Sequence, residues 1–319
     1  MNPPFQITSK ILSQVSQIER LLGRLESFEH PKPQPQLRKS NRVKTLQGSL
    51  AIEGNSLNLE QVTALLDGKK VLAPKNDIAE ILNANAVYEL LGDLKPFSSQ
   101  DLLEAHGVMM RGLIPNAGRW RTSDVGILKG QHISHMAPPA DRVPHLMDDL
   151  FSYLAGEDHA LIKSCVFHYE FEFIHPFPDG NGRVGRFWHS LLLYHFHEVF
   201  EFIPVESLIK EHQQNYYDVL EACDKVGDST QFIEFSLEMI QKALEEFFSG
   251  YRPKASLPTD RLKAVQKHFG KQWFSRKEYL TLHKTISTAT ASRDLKTGVE
   301  QNFLITRGEK ATSRYRLKS

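Results

Sequence analysis

The sequence contains little cysteine. Cys165 and Cys223 are its only two in 319 residues, and no CxxC pair occurs. This argues against a disulfide framework and against a thiol-based metal or redox centre. Both residues lie within apolar helical patterns, so we predict two buried free thiols.

Long apolar runs are also lacking. No segment approaches the length needed to cross a bilayer, and the first fourteen residues have no basic stretch followed by an apolar core and a small-residue cleavage site. We therefore predict a cytoplasmic protein with no membrane partner.

Alternating apolar and polar residues, the pattern of half-buried strands, are scarce before residue 252. An exception is 125–136, which predicts a small β-hairpin flap. Elsewhere apolar residues recur at helical spacing. The predicted helices are 7–25, one beginning near 36, 58–66, 75–91, 98–110, 143–155, 160–173, 183–200, 209–225 and 229–251. The predicted fold class is mainly α, with an N-terminal helical region over 1–95 and a core over 96–252.

Charge separates the C-terminal end from the rest. Residues 254–319 hold fifteen Lys and Arg against five Asp and Glu, a formal +10, which leaves about −9 for the residues before them. Two prolines, Pro253 and Pro258, interrupt the helical pattern at the same place. We predict a separate domain over 253–319, and its charge indicates either an anionic partner or a solvated basic face.

Residues 175–186, HPFPDGNGRVGR, combine groups that bind phosphate. Gly180 and Gly182 flank Asn181, which allows successive N–H groups to form a concave anion site where a helix begins. Arg183 and Arg186 lie three residues apart, so both can reach the same side of that helix.

The same segment supplies a carboxylate and a base. Asp179 suits Mg²⁺, which proteins hold through one or two carboxylates together with substrate phosphates. His175 can remove a proton from a hydroxyl near neutral pH. A lone His-Pro or GxG indicates only a turn, and the spacing matches neither a Walker A loop nor a dinucleotide fingerprint. The combination predicts phosphoryl or nucleotidyl transfer.

HPFPDGNGRVGR resembles the signature of the Fic family, HPFxDGNGRxxR, at every fixed position. The resemblance implies a helical Fic domain that transfers AMP from MgATP to a Tyr, Thr or Ser hydroxyl of a protein. The acceptor is another protein or the chain itself, and a homodimer is the family tendency. In it His175 is the base, Asp179 binds Mg²⁺ and Phe177 is buried support. The nucleotide-binding residues implied are Gly180, Asn181, Gly182, Arg183, Gly185 and Arg186.

A second resemblance lies upstream. Residues 49–54, SLAIEG, fit the inhibitory pattern [ST]xxxE[GN] of the same family, with Ser49, Glu53 and Gly54 at its fixed positions. Alone, this pattern describes any helical Glu followed by a capping Gly. Beside the main signature it implies an N-terminal inhibitory helix in which Glu53 competes with the γ-phosphate for Arg186.

Further roles follow from the same resemblance. The flap would dock the target through Lys129, Gly130, Gln131, His132 and Ile133. Tyr216 or Tyr217 would contact adenine, although core packing explains one tyrosine equally well. Four helical histidines lack a metal-binding pattern and are predicted to be satisfied within the fold: His168, His189, His195 and His197.

In residues 259–319 the predicted helices are 260–268, 275–283 and 287–299, and the strands are 303–306 and 315–317. This order, with the run TASRDLK at 290–296, resembles a winged helix-turn-helix domain. Arg293 and Lys296 would face a nucleic-acid backbone, with Lys310 and Arg314 on the wing. Protein docking is the alternative use of this fold.

Three functional hypotheses remain from the sequence. The first is an autoinhibited adenylyltransferase. The second is a winged-helix, DNA-binding regulator whose Fic-like domain senses nucleotide. The third keeps the catalytic geometry but uses another nucleotide or removes AMP from a protein.

Overall fold

A computed structural model describes residues 3–26, 34–129, 132–250, 258–283, 286–308 and 312–318. The chain divides into two compact units, residues 1–253 and 254–319, and each has an apolar core of its own. The predicted mainly helical class is confirmed. None of the described helices combines the length and apolarity that a bilayer-spanning helix needs.

The helices of the first unit are α1 (Ser9–Glu26), α2 (Pro35–Ile52), α3 (Leu59–Leu66), α4 (Lys75–Glu89), α5 (Ser99–Met109), α6 (Val143–Leu154), α7 (Ala160–Ile174), α8 (Asn181–Phe196), α9 (Val205–Glu211), α10 (Gln213–Val226) and α11 (Thr230–Gly250). Two short 3₁₀ turns span Ala140–Arg142 and Glu198–Phe202. Helices α4 and α5 pack together across the predicted border at residue 95, and that border stays a prediction.

Two predicted helices have the wrong bounds. The helix predicted over 183–200 ends at Phe196, because His197 is extended (φ −155°, ψ 121°) and its ring Nδ1 accepts the Val199 N–H. The helix predicted over 209–225 is interrupted at His212, where α9 ends and α10 begins. Apolar spacing continues through both breaks, so the sequence pattern does not reveal them.

Helices α7 and α8 pack against each other at the centre of the first unit. Phe167 and Phe171 on α7 and Trp188 on α8 are fully buried. The segment between these helices is the predicted active-site loop, so the core fixes both of its ends.

The predicted flap is a two-stranded antiparallel hairpin, β1 (Gly126–Lys129) and β2 (His132–Met136), with an irregular register between Ile127 and Leu128. Of the predicted docking residues, Lys129 pairs with His132 and Leu128 pairs with Ile133. Gly130 and Gln131 lie outside the described residues.

The second unit contains α12 (Pro258–Phe269), β3 (Phe274–Ser275), α13 (Arg276–Leu282), α14 (Thr288–Glu300), β4 (Leu304–Arg307) and β5 (Arg314–Leu317). Its antiparallel sheet has the order β3-β5-β4. The short strand β3 was not predicted. Arg261 and Asp294 form a buried ion pair, with 2.6 Å between Nε and Oδ2, which fixes α14 on α12. Assignment as a winged helix stays a prediction, and Lys310 lies outside the described residues.

Helix α2 packs on α9 with almost no gap at Gly48. A Cβ on Gly48 would lie 2.9 Å from the Ser207 backbone nitrogen and 3.0 Å from the Glu206 carbonyl oxygen. These backbone atoms cannot rotate away, so only glycine permits this approach. The packing places the C-terminal end of α2, which carries Ser49 and is followed directly by Glu53, beside α8.

We predict that Gly48→Ala destabilises the first unit by about 1–2 kcal/mol, because the backbone overlap outweighs the roughly 0.5–1 kcal/mol that alanine gains in a helix. Gly23 is the matched control, since it lies in α1 with no neighbouring atom within 4 Å of its Cβ position. Urea denaturation should show Gly23→Ala to be neutral or stabilising. Equal effects of the two substitutions would contradict the packing argument.

Candidate functional site

The predicted active-site loop joins the C-terminus of α7 to the N-terminus of α8. His175 ends α7 in the left-handed conformation (φ 50°, ψ 60°), and its backbone N–H donates to the Phe171 carbonyl at 3.0 Å. This conformation is unfavourable for a residue with a side chain and costs of order 1 kcal/mol or more. Surrounding contacts must therefore hold the histidine in place.

Asn181 closes the loop across its own base. Its side chain accepts the Phe177 N–H at 2.8 Å and donates to the Phe177 carbonyl at 2.9 Å, and only 2% of Asn181 is exposed. Gly180 has a positive φ of 84°, and a Cβ there would lie 2.5 Å from the Met110 sulfur. The loop therefore needs asparagine and glycine at these positions for steric and hydrogen-bonding reasons.

His106, on α5, supports the active-site loop through contacts with Phe177 and Asp179. Its role was not predicted from the sequence. Its Nδ1 accepts the Gly118 N–H at 2.7 Å, so its Nε2–H donates to the Asp179 carbonyl at 3.0 Å. The ring stacks on Phe177, with centroids 3.6 Å apart. Burial lowers the pKa of His106 to about 4, which keeps this neutral tautomer at ordinary pH.

Arg183, predicted to bind phosphate, lies between two carboxylates. Its Nη1 is 2.5 Å from Glu80 Oε1, and its Nη2 is 3.0 Å from Asp179 Oδ1. The other oxygen of Glu80 accepts from Asn55 Nδ2 at 2.8 Å. Glu80 was not predicted, and it links the turn after α2 to the loop through Arg183.

Asp179 is the carboxylate predicted to bind metal. Its side chain is 58% exposed, while its Oδ1 accepts the Gly180 N–H at 2.6 Å. Within the described ranges, no three His, Cys, Asp or Glu side chains are grouped so that they could hold a metal ion. An open carboxylate at the edge of an anion site fits Mg²⁺ that arrives with a polyphosphate, because phosphate oxygens and waters then supply the remaining ligands.

Glu53 and Arg186 form an ion pair at the same end of α8. Arg186 Nη2 lies 2.7 Å from Glu53 Oε1, and its guanidinium also donates to the Ser49 hydroxyl at 3.1 Å and the Ser49 carbonyl at 3.0 Å. Arg186 is 1% exposed and Glu53 is 31% exposed. Burial is the largest single influence on the pKa of Arg186 and would lower it, but the charges of Glu53, Tyr216 and Glu172 and the hydrogen bond to Glu53 together raise this pKa above its usual range.

Two glycines in the first turns of α8 fit this arrangement. A Cβ at Gly182 would overlap Glu53 Oε1, and a Cβ at Gly185 would lie 2.7 Å from Glu172 Oε1. Gly54 follows Glu53 with φ 91°, which ends α2 and turns the chain away. Helix α8 therefore presents two side-chain-free positions, each covered by a carboxylate from another helix.

The two candidate adenine tyrosines occupy different environments. Tyr216 is 2% exposed, its hydroxyl is 3.2 Å from His168 Nε2, and its ring packs against Phe232. Tyr217 is 39% exposed, and its hydroxyl donates to the Ile52 carbonyl at 3.3 Å, one residue before Glu53. Of the two, Tyr217 is the one that a bound ligand could reach without a change in the core.

The prediction that the four helical histidines are satisfied within the fold is wrong for two of them, because His168 Nδ1 and His189 Nε2 are buried without a hydrogen-bond partner among the described residues. His195 Nδ1 is 3.1 Å from the Leu191 carbonyl, and His197 Nδ1 accepts a backbone N–H. His168 and His189 are buried with ring centroids 5.1 Å apart. Burial, together with the charge of His189, holds the pKa of His168 well below its usual range, and burial alone lowers that of His189 to about 4.

The low pKa of His189 predicts that the fold loses stability in acid. Because its folded pKa of about 4 lies below the ordinary 6.5, the unfolded chain binds more protons between these values, and stability falls as the pH drops through this window. The loss should reach about 3 kcal/mol, at about 1.4 kcal/mol per pH unit. Urea denaturation at pH 7, 6, 5 and 4 should show a shallower fall for His189→Asn. His195→Asn, on the exposed side of α8, should keep the original slope, and identical slopes for all three proteins would refute the assignment.

Comparisons with known proteins agree on one family. Residues 96–193 match the sequence profile of the Fic/DOC family. A crystal structure of a Fic family protein from Desulfovibrio desulfuricans G20 is 40% identical, with a TM-score of 0.76, and the similarity covers 100% of this chain and 99% of that one.

Curated relatives are more distant. The protein adenylyltransferase Fic of Aedes aegypti is 27% identical over 209 residues, which cover 62% of this chain and 40% of that protein. The protein adenylyltransferase fic-1 of Caenorhabditis elegans is 25% identical over 218 residues, covering 64% and 41%. The chain thus matches about two fifths of the length of these relatives.

Proposed function

The chain belongs to the Fic family, and from this premise we propose that it transfers AMP from MgATP to a hydroxyl of a protein and that Glu53 restrains the reaction. Distant relatives named protein adenylyltransferase support the activity. The observation that carries the proposal is the contact between Glu53 and Arg186 near the start of α8, next to the predicted active-site loop. In this contact the proposed inhibitory residue, Glu53, binds the arginine that would otherwise bind the nucleotide.

His175 is suited to act as the base. Its Nδ1 lies 3.3 Å from the Glu172 carbonyl oxygen, and since a carbonyl can only accept, Nδ1 carries the proton and Nε2 carries the lone pair. In the proposed step, the target hydroxyl gives its proton to Nε2 as its oxygen bonds to the α-phosphorus. The bond from that phosphorus to the bridging oxygen breaks, and pyrophosphate leaves.

The loop and the start of α8 would bind the phosphates. Backbone N–H groups at a helix N-terminus favour anions, and Gly180 and Gly182 allow close approach. Asp179 would hold Mg²⁺, which neutralises phosphate charge when bound. Arg183, held by Glu80 and Asp179, would add a fixed positive charge. Tyr217 is the proposed contact for adenine.

Glu53 would restrain transfer by occupying Arg186. A hydrogen bond to a charged partner contributes about 1.5–3 kcal/mol, and the guanidinium is also held by Ser49. As long as Arg186 faces Glu53, it cannot bind a γ-phosphate and align the α-phosphorus. The corresponding restraint is of the order of 10- to 100-fold.

We predict that Glu53→Gly increases AMP transfer about 10-fold or more, because it frees Arg186 for the nucleotide. His175→Ala in the same background should abolish it. Intact-mass spectrometry after incubation with Mg²⁺ and ATP, with and without cell extract, should show a gain of one AMP on the acceptor. Peptide mapping then identifies the modified side chain.

Asp67 provides the matched control, since it follows α3 as Glu53 follows α2 but pairs with the surface residue Lys39. Asp67→Gly should leave transfer unchanged. The restraint is rejected if Glu53→Gly gives no gain over Asp67→Gly. Parallel reactions with other nucleoside triphosphates test whether the enzyme uses another nucleotide. Reactions with an AMP-modified protein as substrate test whether it removes AMP.

For the second unit we propose duplex DNA binding. The supporting observation is that Arg293 and Lys296 are exposed on α14, where Lys296 also lies 3.7 Å from the exposed carboxylate of Glu300. Asp294, between the two cations, anchors the helix through Arg261. A rigid helix with two cations on its outer face, in a region of charge +10, suits a phosphate backbone.

Replacing Arg293 and Lys296 by alanine should weaken binding to a labelled duplex and lower the slope of log affinity against log salt by about one per lost phosphate contact. Fluorescence anisotropy at several salt concentrations measures both. The control variant replaces Lys263 and Lys267, two exposed lysines on α12, by alanine and removes the same charge. It should lower the DNA affinity and the salt slope less. Equal losses in the two double variants, or no affinity in the intact chain, would count against a DNA surface on α14.

A further inference from the structure

Arg121 lies in the segment between α5 and the flap and has no role in the function proposed above. Its side chain is 0% exposed. Its Nη1 lies 4.0 Å from Oδ1 of Asp124, a carboxylate that is 71% exposed. Burial lowers the pKa of Arg121, and a buried charge whose carboxylate partner is long and exposed needs nearby dipoles to replace the lost water.

Backbone carbonyls of the active-site loop take the place of that water. Nε donates to the His175 carbonyl at 2.8 Å, and Nη2 donates to the Ile174 carbonyl at 3.3 Å. The backbone N–H of Arg121 donates to the Pro176 carbonyl at 2.9 Å. Three consecutive carbonyls, before, at and after the proposed base, thus converge on one residue.

This convergence explains how His175 is kept in the left-handed region. The φ and ψ values of a residue determine where its own carbonyl and the preceding one point, and Arg121 binds both. Hydrogen bonds from a charged donor are about twice as strong as neutral ones. Together they hold His175 in a backbone conformation that is otherwise unfavourable for a residue with a side chain.

The same guanidinium reaches both ends of the flap. Nη1 donates to the Ser123 carbonyl at 3.0 Å, before β1, and Nη2 makes a short bond to the Pro138 carbonyl, after β2. The Ala137 N–H donates to the Val125 carbonyl at 3.2 Å, which closes the hairpin base next to it. One side chain therefore joins the proposed target-docking element to the proposed base.

We propose that Arg121 is a positioning residue, which holds His175 in its reactive orientation and keeps it in register with the base of the flap. This inference rests on the proposed function, since it assigns Arg121 to that reaction. Lysine cannot replace it, because a single ammonium lacks the planar fork that reaches carbonyls on three segments.

The test uses the full chain with Glu53→Gly, in which transfer is expected to be measurable. Adding Arg121→Lys should lower kcat about 100-fold, the effect of displacing a reacting group by about 1 Å. The dissociation constant of a non-hydrolysable ATP analogue should stay within about 3-fold, because Arg121 does not touch the proposed phosphate site. Arg121→Met should behave in the same way.

Gln14 provides the control for lost stability. It is 6% exposed and donates to the Glu234 carbonyl at 3.0 Å, between α1 and α11. Gln14→Ala should lower the melting temperature and leave kcat unchanged. If Arg121→Lys retains kcat, or if kcat and analogue affinity fall together with stability, the positioning role is wrong.

If Glu53→Gly itself transfers no AMP, the proposed function fails, but a structure can still test whether Arg121 positions His175. A crystal structure of Arg121→Lys should then show His175 outside the left-handed region, with its carbonyl turned away from residue 121. An unchanged His175 would overturn the inference.

Discussion

The ion pair between the buried Arg186 and the partly exposed Glu53 is the contact on which the proposed restraint depends. Arg186 is 1% exposed, so its charge needs a partner, and removing one member of such a pair is costly unless another anion replaces it. In the proposed function, the triphosphate of ATP is such an anion. The contact is thus suited to exchange, because one carboxylate can give way to one phosphate without leaving the guanidinium unpaired.

The rest of the first unit fixes where this exchange can occur. Gly48 has no side chain and so lets α2 pack closely against α9. Ser49, one turn before Glu53, binds Arg186. On the other side, His106 and Asn181 hold the loop by hydrogen bonds to its backbone. The proposed base and the proposed phosphate site therefore belong to one hydrogen-bonded loop, while Glu53 is 31% exposed beside it.

The sequence predicted what is local. The loop from His175 to Arg186 is contiguous, and its glycines and charged groups indicate their chemistry by spacing alone. Glu53 was found through a second contiguous pattern, and the structure places it on Arg186, 133 residues away. The helical class and the flap also followed from apolar periodicity.

The sequence did not predict residues whose roles arise from packing. His106 meets the loop 73 residues along the chain, Glu80 meets Arg183 at a separation of 103, and Arg121 meets His175 at 54. Nothing near each of these residues marks it as different from an ordinary helical or loop residue. Periodicity likewise could not separate Tyr216 from Tyr217, because neighbouring residues at the edge of an apolar face differ only in how the next helix covers them.

The most direct test is a crystal structure of Glu53→Gly with Mg²⁺ and a non-hydrolysable ATP analogue. The account predicts that the phosphates lie on residues 180–183, that Arg186 has turned from Ser49 to the γ-phosphate, and that His175 Nε2 faces the α-phosphorus. Phosphates bound elsewhere, or His175 pointing away from phosphorus, would contradict it.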